Sequence, residues 1–383
     1  MDATRVLSQR LATQRLSSAP LARAVDAVRL LTCVQSQERD HAFFSLALRS
    51  RRGTYAAVRR EHDRGAFVRT HILRPTWHFV APEDLRWILA LTSPRVLAGM
   101  KGRHRQLGLD DPAVLELGLS LLQDLLRGRR FHTRPELNHE FVARRAPIEP
   151  GQQLGHLLLV AELRGLVCSG PMKGVHHTYA LVNEVIAPSP LRDRDEALVE
   201  LVRRFFTGHG PASVKDFTRW SSLTAADTRA ALAELDGSLE KVDVDGTSLW
   251  FDPHNVPRRS PAAPAAYLFP VYDEAVLTYP QLAFPAAQGH PHSYHQDPFW
   301  ATVVHNGTDV GLWKRSVNGE RVVVEVRLAP EVTAQGREDV RRAAQRLAAF
   351  LERDLAYVEG EGAPQLWGGD LGHPARRPRR ASR

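Results

Sequence analysis

The stretch from Glu196 to Phe251 shows, in its clearest form, a local plan that recurs along the chain. Glu196 to Phe206 carries Leu198, Val199, Leu201, Val202 and Phe205 on one face at helical spacing. Gly208-His-Gly-Pro211 is expected to stop that helix. Ser213 is placed to cap a short helix over Val214 to Trp220, and Thr224 another over Ala225 to Leu235, with Leu232 and Leu235 facing inward. Leu239 to Phe251 then reads as two alternating strands around Asp245-Gly246, a dipeptide suited to a two-residue hairpin turn. Helix, short helix, longer helix and hairpin together make a winged-helix plan.

A second copy runs from about Asp111 to Val185. Val114 to Leu126 is one helix, ended by Gly128. Thr133 caps the next, with Pro135 in its first turn. Gln152 to Arg164 is a strongly apolar helix, and Leu166 to Leu181 a hairpin tipped by Gly170 to His177. The first copy is longer and less regular, with a helix from Tyr55 to Arg64 and a hairpin from Phe67 to Val80. After a Pro/Ala-rich linker, Pro253 to Ala266, composition shifts. Tyr267 to Glu274, Ala301 to Lys314 and Val322 to Leu328 read as strands with turns at Gly307 and Gly319, and Glu338 to Leu351 as a helix. The expected class is α+β. Three tandem winged-helix domains (1–105, 106–190, 191–260) precede a small β-rich domain with one helix (265–365) and a basic, disordered tail (366–383).

The chain has 383 residues, 43% of them hydrophobic and 25% charged, enough for several domains with sizeable cores. No run of eighteen apolar residues exists, so no membrane-spanning helix is expected, and Met1 to Leu7 lacks a hydrophobic signal core. Cys33 and Cys168 both sit in apolar contexts and read as buried free thiols of a reducing cytoplasm. The net charge of +8 favours a polyanionic partner, nucleic acid before membrane. Most of the positive charge is arginine, the lysines being Lys101, Lys173, Lys215, Lys241 and Lys314. Arginine suits bidentate phosphate contacts, and a high-GC genome produces the same bias with no functional cause.

The familiar catalytic signatures are absent: no Gly-x-Ser-x-Gly elbow, no Walker loop and no dinucleotide fingerprint. His290, His292 and His295 cluster in a Pro-rich loop without cysteine or carboxylate at a structural zinc spacing, so no metal and no cofactor is expected. Asp273-Glu274 is an adjacent acidic pair. On a strand its members would face opposite sides, as a domain-interface ion pair or turn, with a role beside the active site as the other reading. Gln35 and Gln37 remain, one residue apart at the close of an apolar helix. In a helix they would lie on nearly opposite sides; both amides face one site only where the chain frays or turns extended. Capping of a helix end is the plainer reading of such a pair.

Beside Val34-Gln35-Ser36-Gln37 stand Arg69-Thr-His-Ile-Leu-Arg-Pro-Thr-Trp-His-Phe-Val80 and the run from Leu85 to Arg95. Further on come Thr178 to Val182, His209 to Phe217, Tyr272-Asp-Glu274 and Gly311 to Arg315. In this order and at these spacings the chain resembles, from end to end, the AlkZ-type DNA glycosylases of the winged-helix superfamily, whose signature is Gln-x-Gln. The resemblance implies three tandem winged helices and a C-terminal β-domain in a C-shaped, DNA-embracing molecule. It also implies that Gln35 and Gln37 are catalytic and that the substrates are N7-alkylated purines, including bulky adducts and interstrand crosslinks, as in repair or self-resistance to alkylating natural products. The middle residue of the signature is usually aliphatic and here is Ser36; a sister group carries Gln-x-Asp, and this chain lacks that aspartate.

A cationic N7-alkyl base leaves without a proton donor, so two neutral amides suffice if they hold a water against C1′. With no lysine nucleophile evident near the pair, a monofunctional enzyme is expected. Candidate DNA contacts are Arg69, His71 and Arg74 on the first hairpin and Lys173, His176 and His177 on the second, with solvated hairpin charge as the plainer reading. His78, Asp273 and Glu274 are candidate supports of the site. The expected partner is double-stranded DNA with alkylated bases, met by a cytoplasmic monomer that binds no membrane. The competing reading is a winged-helix regulator without catalysis. Such proteins usually carry one wing unit and dimerise, and need no Gln pair.

Overall fold

The computed structural model describes residues 1–51, 53–260, 263–280, 282–291 and 300–360. It is a mixed α+β molecule in which one order of elements occurs three times. An N-terminal helix, Ala3–Thr13 (α1), comes first. The first unit is Ala24–Leu31 (α2), Cys33–Gln35 (β1), Arg39–Leu48 (α3), Tyr55–Asp63 (α4), Val68–Arg74 (β2) and Thr76–Val80 (β3). A long connecting helix, Pro82–Gln106 (α5), leads to the second: Pro112–Leu126 (α6), His132–Thr133 (β4), Arg134–Ala143 (α7), Gln152–Leu163 (α8), Val167–Ser169 (β5) and Thr178–Leu181 (β6). After the short Val182–Val185 (α9), the third is Arg194–His209 (α10), Val214–Ser221 (α11), Ala225–Glu234 (α12), Glu240–Val244 (β7) and Thr247–Phe251 (β8). The first two units build sheets of order β1-β3-β2 and β4-β6-β5. In the third, Ala212 bridges Trp250 where the others have their first strand.

Local chemistry explains most boundaries. Thr133, Ser213 and Thr224 each cap a helix in a reciprocal box with Glu136, Asp216 and Asp227. Asp245 and Gly246 take φ of 48° and 75°, the positive pair that a tight hairpin turn demands. The stretch Gly208-His-Gly-Pro211 ends α10 as expected, with the last helical residue His209 and Gly210 as its cap, and Gly208 lies inside the last turn. A Cβ there would lie 2.2 Å from the Leu30 carbonyl oxygen, so the glycine is where α10 crosses the end of α2. Cys33 and Cys168 are both buried free thiols.

The C-terminal part holds Ala266–Leu268 (β9), Glu274–Leu277 (α13), Ala301–His305 (β10), Thr308–Asn318 (β11), Arg321–Leu328 (β12), Ala334–Leu351 (α14) and Asp354–Gly360 (β13). Its sheet order is β13-β12-β11-β10-β9, with β13 parallel to β12. The expected strand from Tyr267 to Glu274 is cut short. Pro270 follows Phe269, Tyr272 takes φ 66°, and Asp273 caps α13 through the Ala275 N–H at 2.9 Å. The basic tail, 366–383, lies outside the described residues, as do His292 and His295; His290 faces Asp309 at 2.9 Å.

The units are not independent bodies. The first unit and the C-terminal sheet share one core, in which Trp313 stacks on His41 at 5.6 Å and Phe350 meets Phe44 at 5.1 Å. A second core joins β2, α5, α10 and Leu163 of α8. Residues 1–105 do not all belong together either. Arg10 of α1 reaches Pro211 O at 2.8 Å and Asp216 at 3.9 Å, so this helix docks on the third unit.

Gly208→Ala is expected to lower the unfolding free energy by about 1–3 kcal/mol, since the methyl must displace backbone rather than a flexible side chain. Urea unfolding followed by circular dichroism measures this. An unchanged midpoint would mean that α2 moves aside freely.

Candidate active site

Helix α2 ends at Leu31, and Thr32 takes φ 65°, an unusual conformation for a β-branched residue. The chain then runs extended. Cys33, Val34 and Gln35 pair with Val80, Phe79 and His78 of β3, and the Ser36 N–H donates to Trp77 O at 2.7 Å. The chain is therefore not helical at the motif, which removes the obstacle a helix would set between Gln35 and Gln37; β1 ends at Gln35, and Gln37 lies in the bend that follows. Gln35 is buried and Gln37 half-buried.

A carboxylate from the C-terminal part holds this segment from below. Glu274 Oε1 accepts the Gln35 N–H at 2.9 Å, and Oε2 accepts the Thr278 hydroxyl at 2.8 Å. His209 Nε2 lies 3.5 Å from Oε2. Burial works against the charged form of Glu274, but the His209 side chain, the Gln35 N–H and the Arg74 charge outweigh it and hold the carboxyl at about 2. Its neighbour Asp273 receives both Nη atoms of Arg49, at 2.9 and 2.8 Å, and the Ser45 hydroxyl at 2.7 Å. Arg49 also donates to Gln14, Gln14 to Tyr279, and Tyr279 to His209 O, so the seam continues into α1 and the third unit. The two members of the acidic pair have different partners. Asp273 makes a domain-interface ion pair, and Glu274 touches the glutamine motif. The pair lies at a helix start instead of on a strand, with Asp273 as the cap and Glu274 as the first helical residue.

Arg74 sets the Gln35 side chain. One Nη donates to Gln35 Oε1 and lies 3.5 Å from His78 Nε2, and the other donates to Arg219 O at 3.1 Å. His78 donates from Nδ1 to Thr76 O at 2.9 Å, which leaves Nε2 as an acceptor toward Arg74. Burial first, and Arg74 second, pull the His78 pKa down to about 3. Burial also lowers the Arg74 pKa, while Glu274 opposes that shift.

The other side of the motif rests on Trp77. Its backbone N–H reaches Gln37 Oε1 at 3.4 Å. Arg69 clamps the loop by donating to Ser36 O at 3.0 Å and Gln37 O at 3.3 Å, with its guanidinium 4.2 Å from the centre of the Trp77 ring. Burial pulls Arg69 down to about 10. Glu162, fully buried on α8, accepts the Trp77 indole N–H at 3.3 Å and meets His71 Nδ1 with its other oxygen.

The six residues proposed from sequence for DNA therefore separate. Arg69 and His71 are buried within this wall, and Arg74 serves Gln35, so none of the three presents itself to a phosphate. His177 is wedged between Tyr179 and Trp77, with ring centres 4.7 and 6.3 Å away, and burial pushes its pKa well below the usual value. Lys173 and His176 are exposed, with Lys173 on Glu136 at 3.0 Å. Sequence reasoning missed Glu162, Trp77, Arg49 and His209. Glu162 left a readable mark, a single carboxylate among Leu157, Leu158, Leu159 and Leu163, because an unpaired charge is not kept in an apolar face.

The model of the AlkZ-like DNA glycosylase family matches residues 28–350. An interstrand DNA cross-link repair glycosylase of Streptomyces sahachiroi is 25% identical over 325 residues, which cover 81% of this chain and 86% of that protein. The solved structure of the DNA glycosylase AlkZ from the same organism aligns with a TM-score of 0.67 at 22% identity, over 94% of this chain and 100% of that one. At that identity the structural likeness speaks for the fold.

His78 makes a pH dependence accessible. Its folded pKa of about 3 lies below the unfolded value of 6.5, so the unfolded chain binds a proton that the folded chain refuses. Stability is therefore complete above pH 6.5 and falls as pH drops toward 3, by at most about 1.4 kcal/mol per pH unit for this group. Half-buried His41, also pulled down to about 3, acts with the same sign. Urea unfolding between pH 7 and pH 4 is expected to show a shallower loss in His78→Gln than in wild type. Parallel curves would contradict a neutral, proton-refusing His78.

Proposed function

The chain belongs to the AlkZ-like DNA glycosylase family, and we propose that it is a monofunctional enzyme that hydrolyses the N-glycosidic bond of N7-alkylated purines in duplex DNA, using a water held by Gln35 and Gln37. The observation that carries this reading is the buried polar bed under the motif. Glu274 fixes the Gln35 backbone, and Arg74 fixes its carboxamide. A regulator that only bound DNA would gain nothing from a buried carboxylate and a half-buried guanidinium turned onto a short segment, given what desolvating each charge costs.

An amide oxygen has two acceptor directions. With Arg74 on one, Gln35 Oε1 keeps the other for a water proton. Gln37 Oε1, with only the long contact to the Trp77 N–H, offers a second acceptor. A water donating to both carbonyls turns a lone pair outward, toward C1′ of the damaged nucleotide. N7-alkylguanine already carries a positive charge and departs as a neutral base, so no side chain has to protonate it. The demanding part is the oxocarbenium-like sugar, which the two carbonyl dipoles favour. Arg74 alone would oppose that cation, and the buried Glu274 carboxylate offsets it.

The reading extends to the rest of the chain. The three repeated units are winged helices. Lys173 and His176 approach the phosphate backbone, while Arg69, His71 and Glu162 hold the wall behind the motif. Lys173 is paired with Glu136, which supports hydrolysis by water over a lysine adduct. The enzyme acts as a single chain on DNA in the cytoplasm, and bulky adducts and interstrand crosslinks are within its range.

Single-turnover release of N7-methylguanine from a duplex tests the proposal. Wild type is expected to release the base and to leave an abasic strand that breaks only on alkali treatment. Gln35→Ala and Gln37→Ala are each expected to be slower by roughly a hundredfold with DNA affinity kept. Equal rates in wild type and both variants would remove the chemistry from the glutamines.

A further inference from the structure

We propose that Val175 is an apolar wedge that enters the duplex beside the damaged nucleotide; the inference rests on the glycosylase reading above. Val175 stands at the tip of the hairpin joining β5 and β6, with 71% of its surface exposed. A single exposed valine means little by itself. What distinguishes this one is the rigidity and position of the backbone that carries it.

Lys173 and His176 exchange hydrogen bonds at 3.1 and 2.9 Å, so Gly174 and Val175 form a two-residue turn, with Gly174 at φ 59°. The base of the hairpin is tied by Met172 N–H to Asp63 at 2.9 Å and by the Thr178 hydroxyl to Pro171 O at 2.6 Å. The tip itself is tied to the first unit, where Arg39 donates to Val175 O at 2.9 Å and also grips Asp40. Arg39 is two residues beyond Gln37. His177, on the return strand, packs toward Trp77, whose N–H bonds Gln37. The turn is thus fixed immediately beside the glutamine motif, with its carbonyl turned to Arg39 and its side chain left in solvent.

Among the described residues nothing covers that side chain, and the exposed Lys173 and His176 lie two residues before it and one after it. An apolar tip between polar neighbours fits a duplex groove. Apolar side chains inserted at a base step unstack it and kink the helix. Unstacking at the lesion opens C1′ to the water held by Gln35 and Gln37 without drawing a bulky adduct into a closed pocket. Val175 is accordingly a positioning residue that acts through the DNA.

The test compares wild type, Val175→Ser and Val175→Leu in single-turnover release of N7-methylguanine, from a duplex and from the same oligonucleotide as a single strand. A second readout is 2-aminopurine fluorescence next to the site in an undamaged duplex. V175S is expected to slow release from duplex at least about tenfold, to match wild type on single strands, and to lose the fluorescence rise that reports unstacking. V175L is expected to restore both. The exposed position keeps the thermal midpoint of both variants at the wild-type value. Duplex release by V175S at the wild-type rate overturns the wedge and leaves the glycosylase reading standing, as does an equal loss on both substrates. Wild type that releases no base from either overturns the reading beneath it, and the wedge with it.

Discussion

The hydrogen bond from the Gln35 N–H to the buried carboxylate of Glu274 is the contact on which the site depends. A charge with no solvent around it is stable only when its partners are fixed, and here they come from three parts of the chain: Gln35 from the first unit, His209 from the third, and Thr278 from its own helix. Asp273 repeats the arrangement one residue earlier with Arg49 and Ser45. Two adjacent acids therefore bolt the C-terminal part to both ends of the segment that carries the glutamines, at its strand and at the end of α3. The hydrophobic core shared by the first unit and the C-terminal sheet supplies the cohesion, and these directional contacts select the register.

The second unit contributes from the opposite side. Glu162 projects from α8 into the first unit, where it fixes the Trp77 indole and His71, and Arg69 ties Trp77 to the carbonyls of Ser36 and Gln37. The motif is thereby held by carboxylates from two different parts of the chain. In the proposed mechanism the neutral amides are poor bases and act through geometry, which these surrounding contacts would fix. Ser36 fits the same logic. Its backbone carries the contacts to Trp77 and Arg69, so the middle position is read through its N–H and carbonyl rather than its side chain.

Local features were legible in the sequence because they are set by local chemistry. The capping residues Thr133, Ser213 and Thr224, the Asp245-Gly246 turn and the apolar face of α10 all act within a few residues of themselves. The strand β13 escaped notice because its pairing with β12 is parallel and reaches across α14. The extended course of Cys33 to Gln35 was hidden for a similar reason. The apolar run continues past Leu31, and only the partner strand β3 shows that the helix has ended. Arg69 and His71 looked like surface charge on a hairpin, since their partners, the Ser36 and Gln37 carbonyls and Glu162, lie about 30 to 90 residues away. Gln35 and Gln37 themselves were found through resemblance to a family; their spacing alone also fits a helix cap.

Glu274→Gln is the most direct probe of this account. The substitution keeps the size of the side chain and an oxygen that accepts the Gln35 N–H, removes the charge, and replaces the oxygen facing Thr278 and His209 by an N–H donor. Single-turnover release of N7-methylguanine should be measured beside duplex affinity, under conditions where circular dichroism finds the variant folded. The account expects release to slow by roughly tenfold or more while affinity stays at the wild-type value, because the electrostatic bed acts on the transition state and not on the bound duplex. Release at the wild-type rate would contradict it, and would leave Glu274 as a structural strut beneath a site that works without it.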